Sequence, residues 1–222
     1  MKNQRSGKNV VRASKTLSWV LRHQALTLGL DIGEDGFVPL DQLIHNSHPR
    51  LRDLTEDSIR EAVVTNDKQR FTLQEKEGGT WYIRANQGHS IDVIDPYKLL
   101  IPVNPEDLRS ATIIHGTYSE PWSNHIATGG LSKMGRTHIH FAKGMPSDAG
   151  VISGMRKSCD VYIHVNGEKC AKDGIEFFES SNGVLLTAGL NNKGILPQSY
   201  FSHVMTRSGE VLLDRRSETE RL

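Results

Sequence analysis

The feature that most constrains the fold is a change of hydrophobic pattern near the middle of the chain. Before it, apolar residues recur at helical spacing, and after it short extended apolar runs predominate. Prolines at 96, 102 and 105 mark the change, because proline interrupts regular structure. We therefore expect a two-lobed α+β protein. The predicted boundaries are a flexible basic arm (1–13), a first lobe (14–98), a linker (99–105), a second lobe (106–210) and a charged tail (211–222).

The pattern of the first lobe predicts three short helices followed by a β-hairpin. Leu17, Val20 and Leu21 recur at helical spacing. Acidic residues follow Thr55, as expected where a helix begins, because the helix dipole favours negative charge there. The predicted elements are helices at 16–28, 39–44 and 55–63, an extended piece at 37–40, and strands at 70–74 and 80–84. This order is typical of a winged helix, an architecture that binds either nucleic acid or other proteins.

The second lobe is predicted to be rich in strands that are separated by glycine-containing turns. The clearest strands lie at 113–115, 138–141, 161–165 and 184–187.

Composition excludes several classes of protein. The chain carries 27 Lys and Arg against 26 Asp and Glu, so bulk charge does not indicate a nucleic-acid binder. Cys159 and Cys170 are too few for a disulfide framework and favour free thiols in a reducing compartment. No apolar run approaches the ~20 residues of a membrane span, and the start lacks a secretory h-region. We expect an intracellular protein, cytoplasmic or nuclear, that is a monomer and has no membrane partner.

Two segments of the first lobe combine cations with polar side chains. Arg22 and His23 end the first apolar helix pattern, where a guanidinium and an imidazole could clamp a phosphate. Arg84 precedes a turn that is rich in hydrogen-bond donors and suits an anion, formed by Asn86, Gln87, His89 and Ser90. A surface arginine and a hydrophilic loop are the alternative interpretations.

In the second lobe, His115 is followed by Gly116 and Thr117, and glycine permits close approach of a ligand to the backbone. His138 and His140 lie on one face of a predicted strand. With His115 they could bind a metal, or as neutral rings they could bond a sugar or a phosphate. Further cations that could contact a ligand are Arg109, Lys133, Arg136, Arg156 and Lys157.

Motifs that the chain lacks narrow the chemistry. It has neither the glycine pattern of a Rossmann fold nor that of a P-loop. It also lacks the G-x-S-x-G and H-E-x-x-H motifs of hydrolases. Arginine and histidine dominate the candidate sites, which favours the binding and transformation of phosphates.

Nine stretches of the chain, taken in order, resemble the RNA 2′-phosphotransferase (tRNA 2′-phosphotransferase) family, and particularly its eukaryotic members. They are LSWVLRH, LGLDIGEDGFVPLDQL, RFTLQ, IRANQGHSI, IIHGTY, GRTHIHFA, ISGMRKSC, DGIEFFESSNGVLLT and ILPQSYF. They extend from Leu17 to Phe201, and one departure is Gln24, where the family has glycine.

The resemblance implies a winged-helix RNA lobe and an ADP-ribosyltransferase-like, β-rich lobe that binds NAD. It implies an RNA partner that carries an internal 2′-phosphate, as tRNA does at a splice junction. NAD is the implied co-substrate, and no metal is implied. The implied products are 2′-OH RNA, nicotinamide and ADP-ribose 1″,2″-cyclic phosphate.

The resemblance also assigns residues. The implied catalytic set is Arg22, His23, Arg84 and Arg156, with Arg136 as the rival for the fourth position. The expected NAD-binding residues are His115, Gly116, Thr117, Gly130, Arg136, His138, His140 and Gly154. The expected RNA-binding residues are Lys68, Arg70, Gln87, His89 and Ser90, although Lys68 and Arg70 could equally be solvated cations at a strand edge.

Two other functions use the same features. A transferase could ADP-ribosylate terminal phosphates of nucleic acid and stop there. A non-catalytic winged-helix module could bind nucleic acid and sense NAD.

Overall fold

A computed structural model describes residues 2–76, 78–148, 150–152, 154–190 and 193–216. The chain divides into two compact units, of which the first ends at Leu99 and the second begins at Leu100. Helices occur in both units, and the strand pairs of the described residues are antiparallel. The chain is therefore α+β, as the pattern predicts.

The described residues of the first unit form four helices and a three-stranded sheet. The helices are α1 (Lys2–Trp19), α2 (Leu40–Ile44), α3 (Glu56–Val64) and α4 (Pro96–Leu99), and the strands are β1 (Val38–Pro39), β2 (Phe71–Glu75) and β3 (Trp81–Ala85). The strand order is β1-β3-β2, which places β3 in the middle. A wider π-helical turn, Val20–Gln24, directly follows α1.

Local sequence accounts for the ends of these helices. The Oγ1 of Thr55 accepts from the Ser58 N–H, and the Ser58 hydroxyl accepts from the Thr55 N–H, which makes a reciprocal cap on α3. Gly29 adopts φ +67°, a left-handed conformation that ends the segment begun by α1. The predicted helix at 16–28 thus consists of the end of α1, the π-helical turn and a series of turns.

The second unit is built largely from short strands. Its helices are α5 (Pro105–Ser110), α6 (Ser119–Pro121), α7 (Ala127–Gly129) and α8 (Gly167–Lys172), with a π-helical turn at Trp122–Ile126 and a 3₁₀ turn at Gln198–Tyr200. Its strands are β4 (Ile101–Pro102), β5 (Ile114–Thr117), β6 (Leu131–Ser132), β7 (Ile139–Phe141), β8 (Val161–Val165), β9 (Phe178–Glu179), β10 (Leu185–Thr187), β11 (Ile195–Leu196), β12 (Phe201–Thr206) and β13 (Val211–Asp214).

This unit contains two four-stranded sheets, with the strand orders β4-β9-β10-β7 and β13-β12-β8-β5. Phe141, Phe177 and Phe201 are almost completely buried in one cluster. Backbone bonds between Ile114 and Ala142 join β5 to the residue that follows β7. The two sheets therefore bring the histidine-bearing strands β5 and β7 together.

Three predicted boundary segments differ from the structure. The basic arm at 1–13 is helical from Lys2, because α1 begins there. Part of the linker at 99–105 is strand β4, which pairs with β9. The tail at 211–222 begins as β13, which pairs with β12, while residues 217–222 lie outside the described residues.

Both cysteines are buried free thiols. Among the described residues, none of the helices is both long and apolar enough to cross a membrane.

Candidate active site

The π-helical turn after α1 carries the first two predicted catalytic residues. Leu21 is buried beneath it, Arg22 is half-buried, and His23 is exposed. A π-helical turn widens the helix locally and is frequent at functional sites. It presents Arg22 and His23 beside β3, the strand that carries Arg84.

The loop after β3 is attached to this turn. The Ser90 N–H donates to the Arg22 carbonyl at 2.9 Å, and His23 Nδ1 lies 2.9 Å from Ser90 Oγ. Gly88 has φ +86°, and a Cβ there would lie 3.5 Å from Arg22 Nε. The predicted donor-rich loop therefore lies against Arg22 and His23.

Arg84 is half-buried on the central strand. Its Nη1 donates to the Asp35 carbonyl at 3.2 Å, and its guanidinium carbon is 4.7 Å from the centre of the Phe37 ring. Burial lowers the pKa of Arg84, and the negative charge of Asp35 opposes that shift. A guanidinium remains charged despite such a shift, so Arg84 is a partly desolvated cation.

The other predicted RNA-binding residues of this unit differ in exposure. Gln87 and His89 are 8% and 1% exposed, so they form the inside of the loop. Lys68 is half-buried, and Arg70 donates to Asn66 Oδ1 at 3.1 Å while burial lowers the pKa of Arg70. Ser90 is exposed and is the member of this set that contacts His23.

In the second unit, the hydrogen bonds of His115 define its chemistry. His115 Nδ1 donates to the His140 carbonyl at 2.9 Å, and the ring packs edge-on to Phe141. Burial lowers the pKa of His115, so the neutral ring predominates at neutral pH. In that tautomer Nε2 carries a lone pair and can accept a hydrogen bond from a hydroxyl group.

His138 is also kept neutral. It is 8% exposed, lies edge-on to Phe178, and burial lowers its pKa to about 4. Its Nδ1 lies 2.9 Å from Thr137 Oγ1. His140 is the central residue of β7, between the buried Ile139 and Phe141. His138 lies in the bend that directly precedes this strand.

Two arginines lie close together in this unit. Burial lowers the pKa of Arg136, and the positive charge of Arg156 lowers it further. Arg136 and Arg156 are both exposed to solvent. Both candidates for the fourth catalytic arginine thus contribute to one positively charged region, which suits a phosphate.

The glycines predicted to bind NAD allow chain segments to approach each other. A Cβ would lie 2.9 Å from Met155 Cβ if built on Gly116, 2.5 Å from the Leu196 carbonyl oxygen on Gly130, and 2.6 Å from Ala142 Cα on Gly154. Thr117 is buried and pairs with Val161. These residues shape the region around His115 and Arg156, and packing alone accounts for the glycines.

Within the described part of the chain, no three His, Cys, Asp or Glu side chains come together in a way that could hold a metal ion. This includes His115, His138 and His140.

Two features escaped the sequence analysis. Asp35 and Phe37 contact Arg84, and Lys76 contacts both Asp35 and Phe37. His164 and His203 stack with ring centres 3.9 Å apart, and burial, with nearby positive charge, lowers the pKa of His164 to about 4. The short extended segment after the Gly33–Gly36 turn could have indicated that the chain next to Phe37 pairs with β3. No local signal links His164 to His203.

Comparison with known proteins bears on this arrangement. The family model described as RNA 2′-phosphotransferase, Tpt1/KptA family, matches residues 8–189. This confirms the resemblance indicated by the nine stretches.

Individual relatives agree with the family match. A protein of Schizosaccharomyces pombe is 46% identical to this chain, over 94% of this chain's residues. The matched region covers only 55% of the length of that relative. The tRNA 2′-phosphotransferase 1 of Bos taurus is 47% identical over 88% of this chain and 75% of its own. The tRNA 2′-phosphotransferase of Saccharomyces cerevisiae is 36% identical to this chain, over 82% of this chain and 80% of the yeast protein.

Proposed function

The chain belongs to the RNA 2′-phosphotransferase family, and from this we propose that it removes an internal 2′-phosphate from RNA, as at a tRNA splice junction, in two NAD⁺-dependent steps. The products are 2′-OH RNA, nicotinamide and ADP-ribose 1″,2″-cyclic phosphate. The first unit acts as a winged-helix RNA lobe, and the second as an ADP-ribosyltransferase-like lobe that binds NAD⁺.

The observation that carries the proposal is the environment of Arg84. This half-buried cation contacts a backbone carbonyl and an aromatic ring, and among the described residues no carboxylate oxygen lies within ion-pair distance of it. A partly desolvated cation without a carboxylate partner is suited to a bidentate anion such as phosphate. Arg22 and His23, on the turn beside β3, add a second cation and a group that can transfer a proton.

In the first step, a 2′-phosphate oxygen forms a bond to the ribose carbon that carries nicotinamide, and the bond to nicotinamide breaks. Phosphate is already an anion near neutral pH, so no strong general base is required. The protein's task is to orient the reactants and exclude water.

In the second step, the ribose 2″-oxygen forms a bond to phosphorus, and the bond from phosphorus to the RNA 2′-oxygen breaks. The 2″-hydroxyl loses a proton and the RNA 2′-oxygen gains one. Arg22, Arg84 and Arg156 stabilise the charge that develops on the phosphoryl oxygens. His23 is the proposed general acid for the leaving 2′-oxygen, and its contact with Ser90 Oγ orients the ring.

The donor set of the second unit fits NAD⁺. Arg136 suits its diphosphate, and the neutral His115 can accept a bond from a ribose hydroxyl. His138, which burial keeps neutral, and His140 add further hydrogen-bonding groups for the same dinucleotide. Gly116, Thr117, Gly130 and Gly154 shape the surrounding backbone.

The test is incubation of the protein with a short RNA that carries one internal 2′-phosphate, with and without NAD⁺ and with EDTA present. Mass spectrometry should detect loss of the phosphate only with NAD⁺, together with the cyclic phosphate product. A stable ADP-ribosylated RNA would mean that the second step does not occur. No change in the RNA would overturn the proposal and favour a module that only binds nucleic acid.

A further inference from the structure

The position of Arg84 follows from the register of the first-unit sheet. Val38 pairs with Ile83 in the antiparallel β1–β3 ladder, so the next pair outward is Phe37 and Arg84. The Arg84 guanidinium carbon lies 4.7 Å from the centre of the Phe37 ring. An aromatic ring attracts a cation through its quadrupole and restricts where the planar guanidinium can lie.

Asp35 provides the second contact, through its backbone rather than its charge. Its carbonyl accepts from Arg84 Nη1 at 3.2 Å. Its carboxylate is bonded elsewhere, because Oδ1 accepts from the Phe37 N–H at 3.1 Å and Oδ2 accepts from Lys76 Nζ at 3.1 Å. The acid that most influences Arg84 is therefore neutralised by a different cation.

Lys76 is held in this place by two rings. Its Nζ lies 4.7 Å from the ring centres of both Phe37 and Tyr82, in addition to its ion pair with Asp35. Removal of the Lys76 charge would leave the Asp35 carboxylate with the Phe37 N–H alone. That carboxylate would then compete with a phosphate for Arg84.

We infer that Asp35, Phe37 and Lys76 are positioning residues for Arg84. The Phe37 ring and the Asp35 carbonyl hold the guanidinium, and Lys76 neutralises Asp35 so that the charge of Arg84 remains available to the RNA phosphate. The inference rests on the proposed function, because it takes Arg84 to be the group that binds the transferred phosphate.

A double substitution that removes both charges distinguishes this electrostatic role of Lys76 from simple support of the fold. If Lys76 only linked the β2–β3 hairpin to the 33–36 turn, replacing Asp35 as well would lower the activity further. If Lys76 acts by neutralising Asp35, the change Asp35→Asn should rescue Lys76→Met, because the amide Oδ1 can still accept from the Phe37 N–H while carrying no charge.

The experiment measures single-turnover rates of both steps with a 2′-phosphorylated RNA and NAD⁺. Lys76→Met should slow the second step about tenfold and cause ADP-ribosylated RNA to accumulate, and Asp35→Asn/Lys76→Met should return the rate to within about twofold of the wild type. Phe37→Leu should slow the same step about tenfold, whereas Phe37→Tyr, which keeps the ring, should not.

Arg60→Met is the matched control. It also removes a cation from an aromatic ring, that of Trp81 at 4.1 Å, and breaks an ion pair, with Glu56, in the same unit. Both rates should remain at the wild-type value. An unchanged second step in Lys76→Met, or no recovery in the double variant at an unchanged Tm, would overturn the inference.

Measuring the Kd for the 2′-phosphorylated RNA without NAD⁺ tests the positioning role independently of turnover. The same loss and recovery should appear in Kd, whether or not turnover occurs. A wild-type protein that binds the RNA with this pattern but never releases phosphate would contradict the function and support the positioning role. Identical Kd values for the wild type and Lys76→Met would contradict the positioning role.

Discussion

In the reaction that we propose, Arg84 is required for one of the two steps. The first step uses the charge that the phosphate already carries, whereas in the second step negative charge builds on the phosphoryl oxygens. Arg84→Ala should therefore slow the second step on the order of 10²-fold or more, and ADP-ribosylated RNA should accumulate. Mass analysis of the RNA during turnover checks this.

Arg84→Lys is the matched variant for that test. Lysine keeps the positive charge but lacks the planar fork that binds two oxygens, so we expect only partial activity. If Arg84→Ala left only unreacted RNA at saturating RNA concentration, Arg84 would be required in the first step as well.

The lowered pKa of His164 predicts how the stability of the fold depends on pH. Burial first, and then the charges of His203 and Arg216, lower the pKa of His164 to about 4, below its ordinary value of 6.5. The unfolded chain therefore takes up a proton at higher pH than the folded chain does. The free energy of unfolding should fall as the pH falls from about 6.5 to about 4, and His164 contributes at most about 2 kcal/mol of this loss between pH 7 and pH 5.

Urea unfolding at pH 7 and pH 5 checks this prediction. His164→Gln should lose less stability over the interval than the wild type, whereas the exposed His45→Gln should follow the wild type. Equal losses in the wild type and His164→Gln would show that another group titrates.

The conformation of the loop before Arg156 requires Gly154 to approach Ala142, the residue that follows β7. Gly154 has φ +116°, and a Cβ there would lie 2.6 Å from Ala142 Cα, whose residue is bonded through its backbone to Ile114. Gly154→Ala should therefore cost about 2–4 kcal/mol of stability and raise the KM for NAD⁺.

Gly150 offers a control for backbone strain in the same region. It has φ +85°, but nothing lies within 4 Å of its Cβ position. Gly150→Ala should cost only about 1 kcal/mol and leave the KM for NAD⁺ unchanged. Equal losses for the two variants in urea unfolding would mean that strain, and not the contact with Ala142, determines the effect.

The elements that sequence predicts well are those with a strong local signal. Thr55 and its acidic neighbours correctly indicated the start of α3, and the apolar run at 161–165 coincides with β8. The π-helical turn at Val20–Gln24 was not predicted, because a change in helical width leaves the apolar spacing of Leu17, Val20 and Leu21 almost unaltered.

Contacts between distant segments were the least predictable part of the site. Arg84 was a candidate from its own neighbours in sequence, but Asp35 and Lys76 depend on the register of a three-stranded sheet. The sequence predicts that Gly154 binds the cofactor, but the close approach of Gly154 to Ala142 depends on packing within the second unit. Motifs therefore indicate which residues carry chemistry, and tertiary structure determines what holds them.

The charge of the whole molecule limits how it can bind RNA. The chain has a formal net charge of +1, so attraction to a polyanion must come from a few placed cations and not from bulk charge. Each phosphate that a cation neutralises releases counterions, and affinity for single-stranded RNA falls with salt in proportion to the number of such contacts.

If Arg22, Arg84 and Arg156 provide most of these contacts, the logarithm of the RNA association constant should fall against the logarithm of salt concentration with a slope of about −2. The measurement is RNA affinity from 50 to about 300 mM salt, for a short RNA with and without the 2′-phosphate. Arg84→Ala should make the slope shallower by about 0.7, whereas replacing the exposed Arg109, which pairs with Glu106, should leave it unchanged. A slope steeper than about −5 would contradict this account, because the protein would then need an extended basic surface that these three arginines do not provide.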